Sequence, residues 1–370
     1  MPRSRPTVHV LGVALADAAQ RRDDVRLEEL AYRTARAALD DAGVRRDELD
    51  NITLGASDEL DGRPISSMLL AAPSGGYLKD EIRVTNSGAT ALGLAVARHL
   101  SGDFGLGLVA SWCKPSKTDV PTVMNSRWEP FFHRDLGLDA AVAEGLFAQA
   151  VSAAHDLQED ELHQRTHDAM RRARENPRAV ERPVASPEEI ASSGHVSTPV
   201  RSRHVAEQSD GAACLVLASD AWMAGHPEHR AIATIPGVGW STDSYRLDRE
   251  RLGATASATA AWAAALRMAG GDAPVDVVEL ETPTIFHEAA LTRVLPIGVA
   301  RVSPSGGTFA QNPLTAAGLV GVVEAVLQVS GRAGPVQVPD VRRAVAHSSN
   351  GFAHQGSVVT VVDAAERLAA

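Results

Sequence analysis

An α/β fold in two related halves is what the sequence predicts, on three observations. Strand-like and helix-like segments alternate from residue 8 to residue 110. The same order of elements returns after residue 275. The chain is 370 residues long, with 44% hydrophobic residues but only 4% aromatic ones, so Ala, Val and Leu must fill the interior. That length is generous for one core and comfortable for two halves of similar size.

The elements follow in order. Val8-His9-Val10-Leu11-Gly12-Val13 reads as a first strand. Leu27, Leu30, Ala31, Ala35, Ala38 and Ala42 recur at three and four residues, the spacing of one apolar helix face, and the helix ends near Gly43. Ile52–Ala56 and Ile82–Thr85 are short strands; the second runs into an alanine-rich helix from about Gly88 to Leu100, and Gly107–Ala110 is the next strand. This β-α-β-α alternation predicts a mostly parallel sheet covered by helices. From about Thr118 to Pro199 the character changes. Asp139–His155 and Glu159–Arg174 are helical and polar on one side, three prolines fall in the 176–188 stretch, and no strong strand is visible. Sheet character resumes at Ala212–Leu217. In the second half, Val275–Leu280, Arg343–Ala346 and Val358–Val362 read as strands, and Leu314–Ser330 as a helix after a glycine loop.

Charge and cysteine content narrow the function classes. Against 36 basic residues stand 46 acidic ones, a net of −10, which disfavours nucleic acid and anionic membrane as partners. Two cysteines, Cys113 and Cys214, are too few for a disulfide framework or a cysteine zinc site. The first residues lack the apolar core of a signal peptide, and no apolar run is long enough to span a bilayer. The expectation is a cytoplasmic protein without a metal.

Four segments, in order, resemble the thiolase superfamily in its sterol-carrier-protein and lipid-transfer branch. Val84-Thr85-Asn86-Ser87-Gly88-Ala89-Thr90-Ala91-Leu92 is similar to the family's nucleophile segment Asn-Cys-Ser-Thr-Gly-Ser-Thr-Ala-Leu. Ser111-Trp112-Cys113-Lys114-Pro115-Ser116 resembles its Gly-Phe-Glu-Lys-Met-Ser loop. Ser209-Asp210-Gly211-Ala212-Ala213 looks like its Ser-Asp-Gly-Ala-Ala return, and Ser303-Pro304-Ser305-Gly306-Gly307 with Asn312-Pro313-Leu314 resembles Asn-Pro-x-Gly-Gly…Gly-His-Pro-Leu. The resemblance implies a five-layered αβαβα core. Residues 1–117 with 200–221 would form the N-terminal half, 118–199 an inserted loop domain, and 222–370 the C-terminal half. It also implies an acyl thioester as substrate, on CoA or an acyl-carrier protein with no further cofactor, and a homodimer or a heterodimer with a thiolase homologue.

The resemblance also shows what is missing. A thiolase attacks with a thiolate, since ionised sulfur reacts readily with a thioester at neutral pH. Thr85 stands at the cysteine position, and Ser87 at a small position that packs the helix start. Asn312 stands where the family has its histidine; an amide is no base, but it can donate a hydrogen bond to a carbonyl oxygen. Glu281 replaces the histidine of the His-Asp-Cys-Phe segment and is a candidate base for Thr85. His354, in the loop 348–356, is a candidate replacement base, with His287 a weaker one, and Cys113 a candidate relocated nucleophile. Ser305, Gly306 and Gly307 would admit the ligand close to the backbone, and Arg171, Arg172, Arg174 and Arg178 could meet CoA phosphates. Thr85, Glu281, Asn312 and His354 are expected to converge away from the surface. The reading is acyl transfer or condensation without cysteine. The alternative is a non-catalytic partner subunit of such an enzyme, because several chemical positions are lost together. Tyrosine-dependent retro-aldol chemistry, known among the lipid-transfer relatives, is disfavoured because Tyr32, Tyr77 and Tyr245 fall outside every site loop.

Overall fold

The structure is a computed structural model that describes residues 7–63, 65–271 and 273–365. The first half contains β1 (Val8–Leu15), α1 (Leu27–Ala42), β2 (Asn51–Gly55), α2 (Ser66–Ala71), β3 (Asp80–Val84), α3 (Gly88–Ser101) and β4 (Leu106–Cys113). The insertion holds α4 (Val120–Ser126), α5 (Ala140–His155), α6 (Glu159–Glu175), α7 (Pro187–Ala191) and a short hairpin of β5 (His195–Ser197) with β6 (Val200–Arg201). The chain then returns through β7 (Gly211–Ser219) and α8 (Asp220–Gly225). The second half contains β8 (Ala233–Thr242), α9 (Arg249–Ala254), α10 (Ala256–Met268), β9 (Val277–Leu280), α11 (Ile285–Val294) and β10 (Arg301–Val302), then α12 (Ala317–Val329), β11 (Arg343–Asn350) and β12 (Gly356–Ala364).

Ten strands form one sheet in the order β10-β9-β11-β12-β8-β1-β7-β4-β2-β3. Its two five-stranded halves repeat each other: β1, β2, β3, β4 and β7 take the places that β8, β9, β10, β11 and β12 take in the other. They join where Val8–Val10 of β1 pairs with Ala233–Ile235 of β8. The sheet is mixed rather than mostly parallel. β2 and β9 pair in parallel with both neighbours, while β7 and β12 pair antiparallel with theirs. The reason lies in the connections. A tight loop, 351–355, turns β11 back into β12, which fixes an antiparallel pair, and the long insertion brings β7 back beside β4, antiparallel to it.

Helices α3 and α12 lie between the two half-sheets, sharing a core with Val10, Val109, Leu215, Ile235, Val277, Ala346 and Val358. Helix α1 covers the outer face of the first half, and α10 with α11 covers that of the second. The layers are therefore helix, sheet, helix, sheet, helix. Glycine permits the tight outer contacts. A β-carbon on Gly12 of β1 would strike the backbone of α1 at Ala38 and Ala42, and one on Gly239 of β8 would strike that of α10 at Ala261 and Ala265. Small residues at these crossings explain how an interior poor in aromatics reaches close packing.

The insertion does not stand apart. Phe147 of α5 and Ala169 and Ala173 of α6 share a core with Phe286 and Ala290 of α11, Phe309 and Ala353. Elements β8 and α10 were not foreseen: alanine-rich segments with alternating glycines carry little periodicity of either kind.

Candidate active site

The polar junction between the halves is built by strand register. Parallel pairing of β9 with β11 places Leu280 opposite His347, and the Glu281 amide continues it by donating to the His347 carbonyl at 2.9 Å. Glu281 and Ser348 therefore sit side by side, and the Ser348 hydroxyl donates to Glu281 Oε2 at 2.6 Å. Ser348 Oγ also lies 3.4 Å from Ser87 Oγ, which comes from the other half. Ser87 is the N-cap of α3; its oxygen accepts from the Thr90 amide at 3.3 Å and lies 3.2 Å from Thr90 Oγ1.

Two glycines let the helices approach this junction. A β-carbon on Gly318, in the first turn of α12, would strike Ser348 Oγ and come within 2.9 Å of Glu281 Oε2. One on Gly88 would lie 2.6 Å from Ser111 Cβ and 2.8 Å from Leu319 Cβ. Burial pushes the Glu281 carboxyl up to about 8, against hydrogen bonds from Ser348 and the Ser349 backbone that pull it down. Glu281 also borders an enclosed space of only about 10 Å³, together with Glu279, Ser305 and Gln311.

A second polar cluster lies on the opposite face of β11, since successive strand residues point to opposite sides. His347 stacks on His354 with ring centroids 5.2 Å apart, and His354 lies 5.5 Å from His287. Ser357 Oγ is 3.2 Å from Nε2 of both His347 and His354. His287 Nδ1 is bonded to Thr284 Oγ1 at 3.0 Å and lies 3.6 Å from Glu144 Oε2. Burial drives His287 and His347 down to about 3 and His354 well below the ordinary range, while it lifts Glu144 to about 8. All three rings are held neutral.

The expected residues are thus distributed rather than gathered. Thr85 is exposed, against the expectation that no member of the set lies at the surface, because it follows the last residue of the edge strand β3. Among the described residues its side chain makes no hydrogen bond. Glu281 is engaged with Ser348 instead. Asn312 is buried and ties its loop to the segment just before β7: its amide group donates to the Ala206 carbonyl at 3.0 Å, and its backbone NH to Ser209 Oγ at 2.9 Å. His354 is buried, not a solvated loop residue, and belongs to the histidine cluster.

Ser305 donates to Glu279 Oε2 at 2.5 Å. The Gly306 turn, at φ +87°, lies so close to α6 that a β-carbon would strike Ala173. Arg172 is paired with Glu288 at 2.9 Å and Arg178 with Glu324 at 2.6 Å, which leaves Arg171 and Arg174 exposed. Cys113 and Cys214 are fully buried, and burial raises both thiols far above their ordinary value. Tyr245 packs near Phe132 and His133 of the insertion. Sequence reading passed over Ser348 and gave Ser87 a packing role.

Residues 287–363 match the family described as thiolase C-terminal domain-like. In overall structure the chain is similar to a solved protein named "Ltp2-ChsH2(DUF35) aldolase", with a TM-score of 0.79 over 98% of this chain and 99% of that one, at 16% identity. The fold is thiolase-like. No curated protein matches in sequence. Among the described residues of this thiolase-like chain, no helix is long and apolar enough to cross a membrane, and no cluster of three or more His, Cys, Asp or Glu is arranged to hold a metal ion.

Proposed function

We propose that the chain acts on an acyl thioester, carried by CoA or an acyl-carrier protein, by acyl-transfer or condensation chemistry that runs on oxygen groups instead of a thiolate. The observation that carries this reading is the Glu281–Ser348–Ser87 chain at the meeting of α3 and α12, in a protein whose two thiols are both sealed in the core. A carboxyl shifted towards neutrality is a competent general base, which is how buried carboxylates serve in enzymes. Thr85, exposed and two residues before Ser87, is the candidate group for the thioester oxygen. The test is release of free thiol from a panel of acyl-CoA and acyl-carrier substrates. Glu281→Gln should lower turnover by roughly 10²–10⁴-fold, the usual contribution of a general base. No binding and no turnover with any member of the panel would overturn the reading.

A second reading is aldol-type cleavage of a 3-hydroxyacyl thioester. The end-to-end likeness to a protein named an aldolase favours it. Such cleavage needs proton transfers but no nucleophile, which Glu281 alone could begin. It is distinguished by release of a ketone or aldehyde with the thioester kept intact. For either reading a partner is proposed, a second copy or a homologue, across β3. That strand is one of the two edges of the sheet, and Ile82 on it is 36% exposed. The similar solved protein also carries two components in its name, Ltp2 and ChsH2.

A further inference from the structure

Resting on the reading of Glu281 as the base, we propose that the enclosed space beside it is a binding site for one water molecule, which donates hydrogen bonds to Gln311 Oε1 and to the Glu281 carboxylate. Gly321 of α12 leaves the room for it. The water is the positioning group that keeps a buried carboxylate available as a base.

The size of the space, its chemistry and the helix beside it point the same way. At about 10 Å³ it is close to the smallest space that holds a water, and such a water needs two or more polar partners. Glu279, Glu281, Ser305, Thr308 and Gln311 all border it. Their own protons are directed elsewhere. Ser305 Oγ donates to Glu279 Oε2 at 2.5 Å, Thr308 Oγ1 to the Thr282 carbonyl at 2.6 Å, and Gln311 Nε2 to the Arg178 carbonyl at 3.3 Å. Gln311 is only 2% exposed, and its Oε1 receives no hydrogen bond among the described residues. A buried acceptor is rarely left without a donor. Here the donor must come from outside the lining.

Gly321 supplies the room. Ala317, Gly321 and Glu324 recur at four and three residues, so one face of α12 turns towards the space. Apart from its own helix, a β-carbon on Gly321 would meet Glu279 Cβ at 4.0 Å and nothing nearer. At Gly318 and Gly88 glycine permits contact; at Gly321 it keeps space.

The electrostatics give the water its effect. Burial lifts Glu281 to about 8, and hydrogen bonds from Ser348 and the Ser349 backbone, both on β11, pull it down. A donating water pulls in the same direction, because it favours the charged form. The charged groups that border the space are Glu279 on the same strand, under the field of Arg172 of α6, and Glu324 of α12, which is paired with Arg178. The loop 303–311 contributes neutral hydroxyl and amide groups.

The experiment compares full-length wild type with Gly321→Ala and Gly321→Ser. Magnetic relaxation dispersion of the solvent counts long-lived internal waters. Infrared spectroscopy titrates the Glu281 carboxyl, whose band is assigned by its loss in Glu281→Gln. Gly321→Ala puts a methyl in the water's place, in a helix interior that favours Ala over Gly. The expected result is one internal water fewer, with Glu281 ionising about one pH unit higher, as loss of one hydrogen bond to a charged group predicts. Gly321→Ser should lose the same water but return most of the shift, since its hydroxyl can donate instead. Gln311→Met, which removes one of the water's partners without touching the helix, should also lower the count by one. An unchanged count or an unchanged titration in Gly321→Ala overturns the proposal. So do equal shifts in the Ala and Ser variants, because bulk rather than a hydrogen bond would then set the value. Neither readout needs activity. The expected shifts in a chain that turns over no acyl thioester would uphold the water site and sink the thioester reading. Wild-type turnover, unaltered in Gly321→Ala along with count and titration, would sink the water site and uphold the reading. If both stand, turnover of Gly321→Ala near neutral pH should fall about tenfold, following the ionised fraction of Glu281.

Discussion

His347 and Ser348 are neighbours on one strand, yet they serve two different polar centres. On the inner face, Ser348 joins a carboxyl of the second half to a hydroxyl of the first. On the outer face, His347 joins a stack of neutral rings whose partners come from the second half and from the insertion. The inner chain is hydrogen-bonded from end to end. The outer stack leaves His347 Nδ1, His354 Nδ1 and Glu144 Oε2 without hydrogen-bond partners among the described residues. Burial alone therefore does not mark a reactive site. A hydroxyl link between the two halves, from Glu281 through Ser348 to Ser87 at a helix start, separates the inner centre from the outer one.

The sharpest way to break this contrast is Gly318→Ala. Intrinsic helix propensity favours Ala over Gly by about 1 kcal/mol, so a surface glycine in α12 would gain stability from the change. Here the new methyl would overlap Ser348 and press on Glu281. The expected outcome is a loss of about 1–3 kcal/mol in denaturant titrations, with activity falling by orders of magnitude. A stabilised, fully active variant would show that the inner chain is not needed.

Stability against pH probes both centres at once. His287 and His347 are neutral in the folded chain down to about pH 3 but protonate near 6.5 when unfolded, so the stability they contribute is intact above 6.5 and drains away as pH falls towards 3. Glu144, Glu279 and Glu281 behave oppositely. Their folded value of about 8 lies above the unfolded 4.5, so their contribution is intact below 4.5 and is lost as pH rises through 8. Between 4.5 and 6.5 the two slopes oppose each other. A plateau there, with decline on each side, is expected in chemical denaturation curves. His347→Leu should shallow the acid limb alone and Glu281→Gln the alkaline limb alone; a common response of both limbs to either change would merge the two centres into one.

A smaller effect is expected at the rim. Ile82→Lys on the edge strand β3 should convert an assembled species to a monomer in light scattering while leaving the fold of each chain intact. A wild-type chain that is already monomeric at micromolar concentration, with no co-purifying partner, would show that this edge holds no partner.

Much of the fold was legible and much of the centre was not, for physical reasons. The face of α1 was written in its spacing, because one side meets the sheet and the other meets water. Helix α12 is buried on nearly every side between two sheets, so its pattern gave its presence but not its start, which the structure puts at Ala317 after a short 3-10 turn. Glu281 stood out as a charge where the family carries a histidine. Its bond to Ser348 could not stand out, because it depends on a register between strands more than sixty residues apart. His354 read as a loop residue, which it is; that the loop folds under the insertion against Phe147 is a tertiary fact.

The smallest effect is expected from removing sulfur altogether. Cys113 ends β4 with no exposed surface, beside Leu60 and Val120, and Cys214 lies within β7 between the first-half core residues. Thiols in such surroundings act as small hydrophobes, since ionising one would place an uncompensated charge in an apolar interior. The double variant Cys113→Ala/Cys214→Ala should therefore lose only packing, on the order of 1–2 kcal/mol in total for two small atoms removed from a close-packed core, and should keep its full rate on whatever thioester the wild type accepts. Iodoacetamide should likewise leave native protein unmodified by intact mass. A stoichiometric acyl adduct on Cys113 after incubation with acyl-CoA would reverse the contrast between inert sulfur and reactive oxygen, because the chemistry would then run through the sealed end of β4 and not through the oxygen chain between the halves.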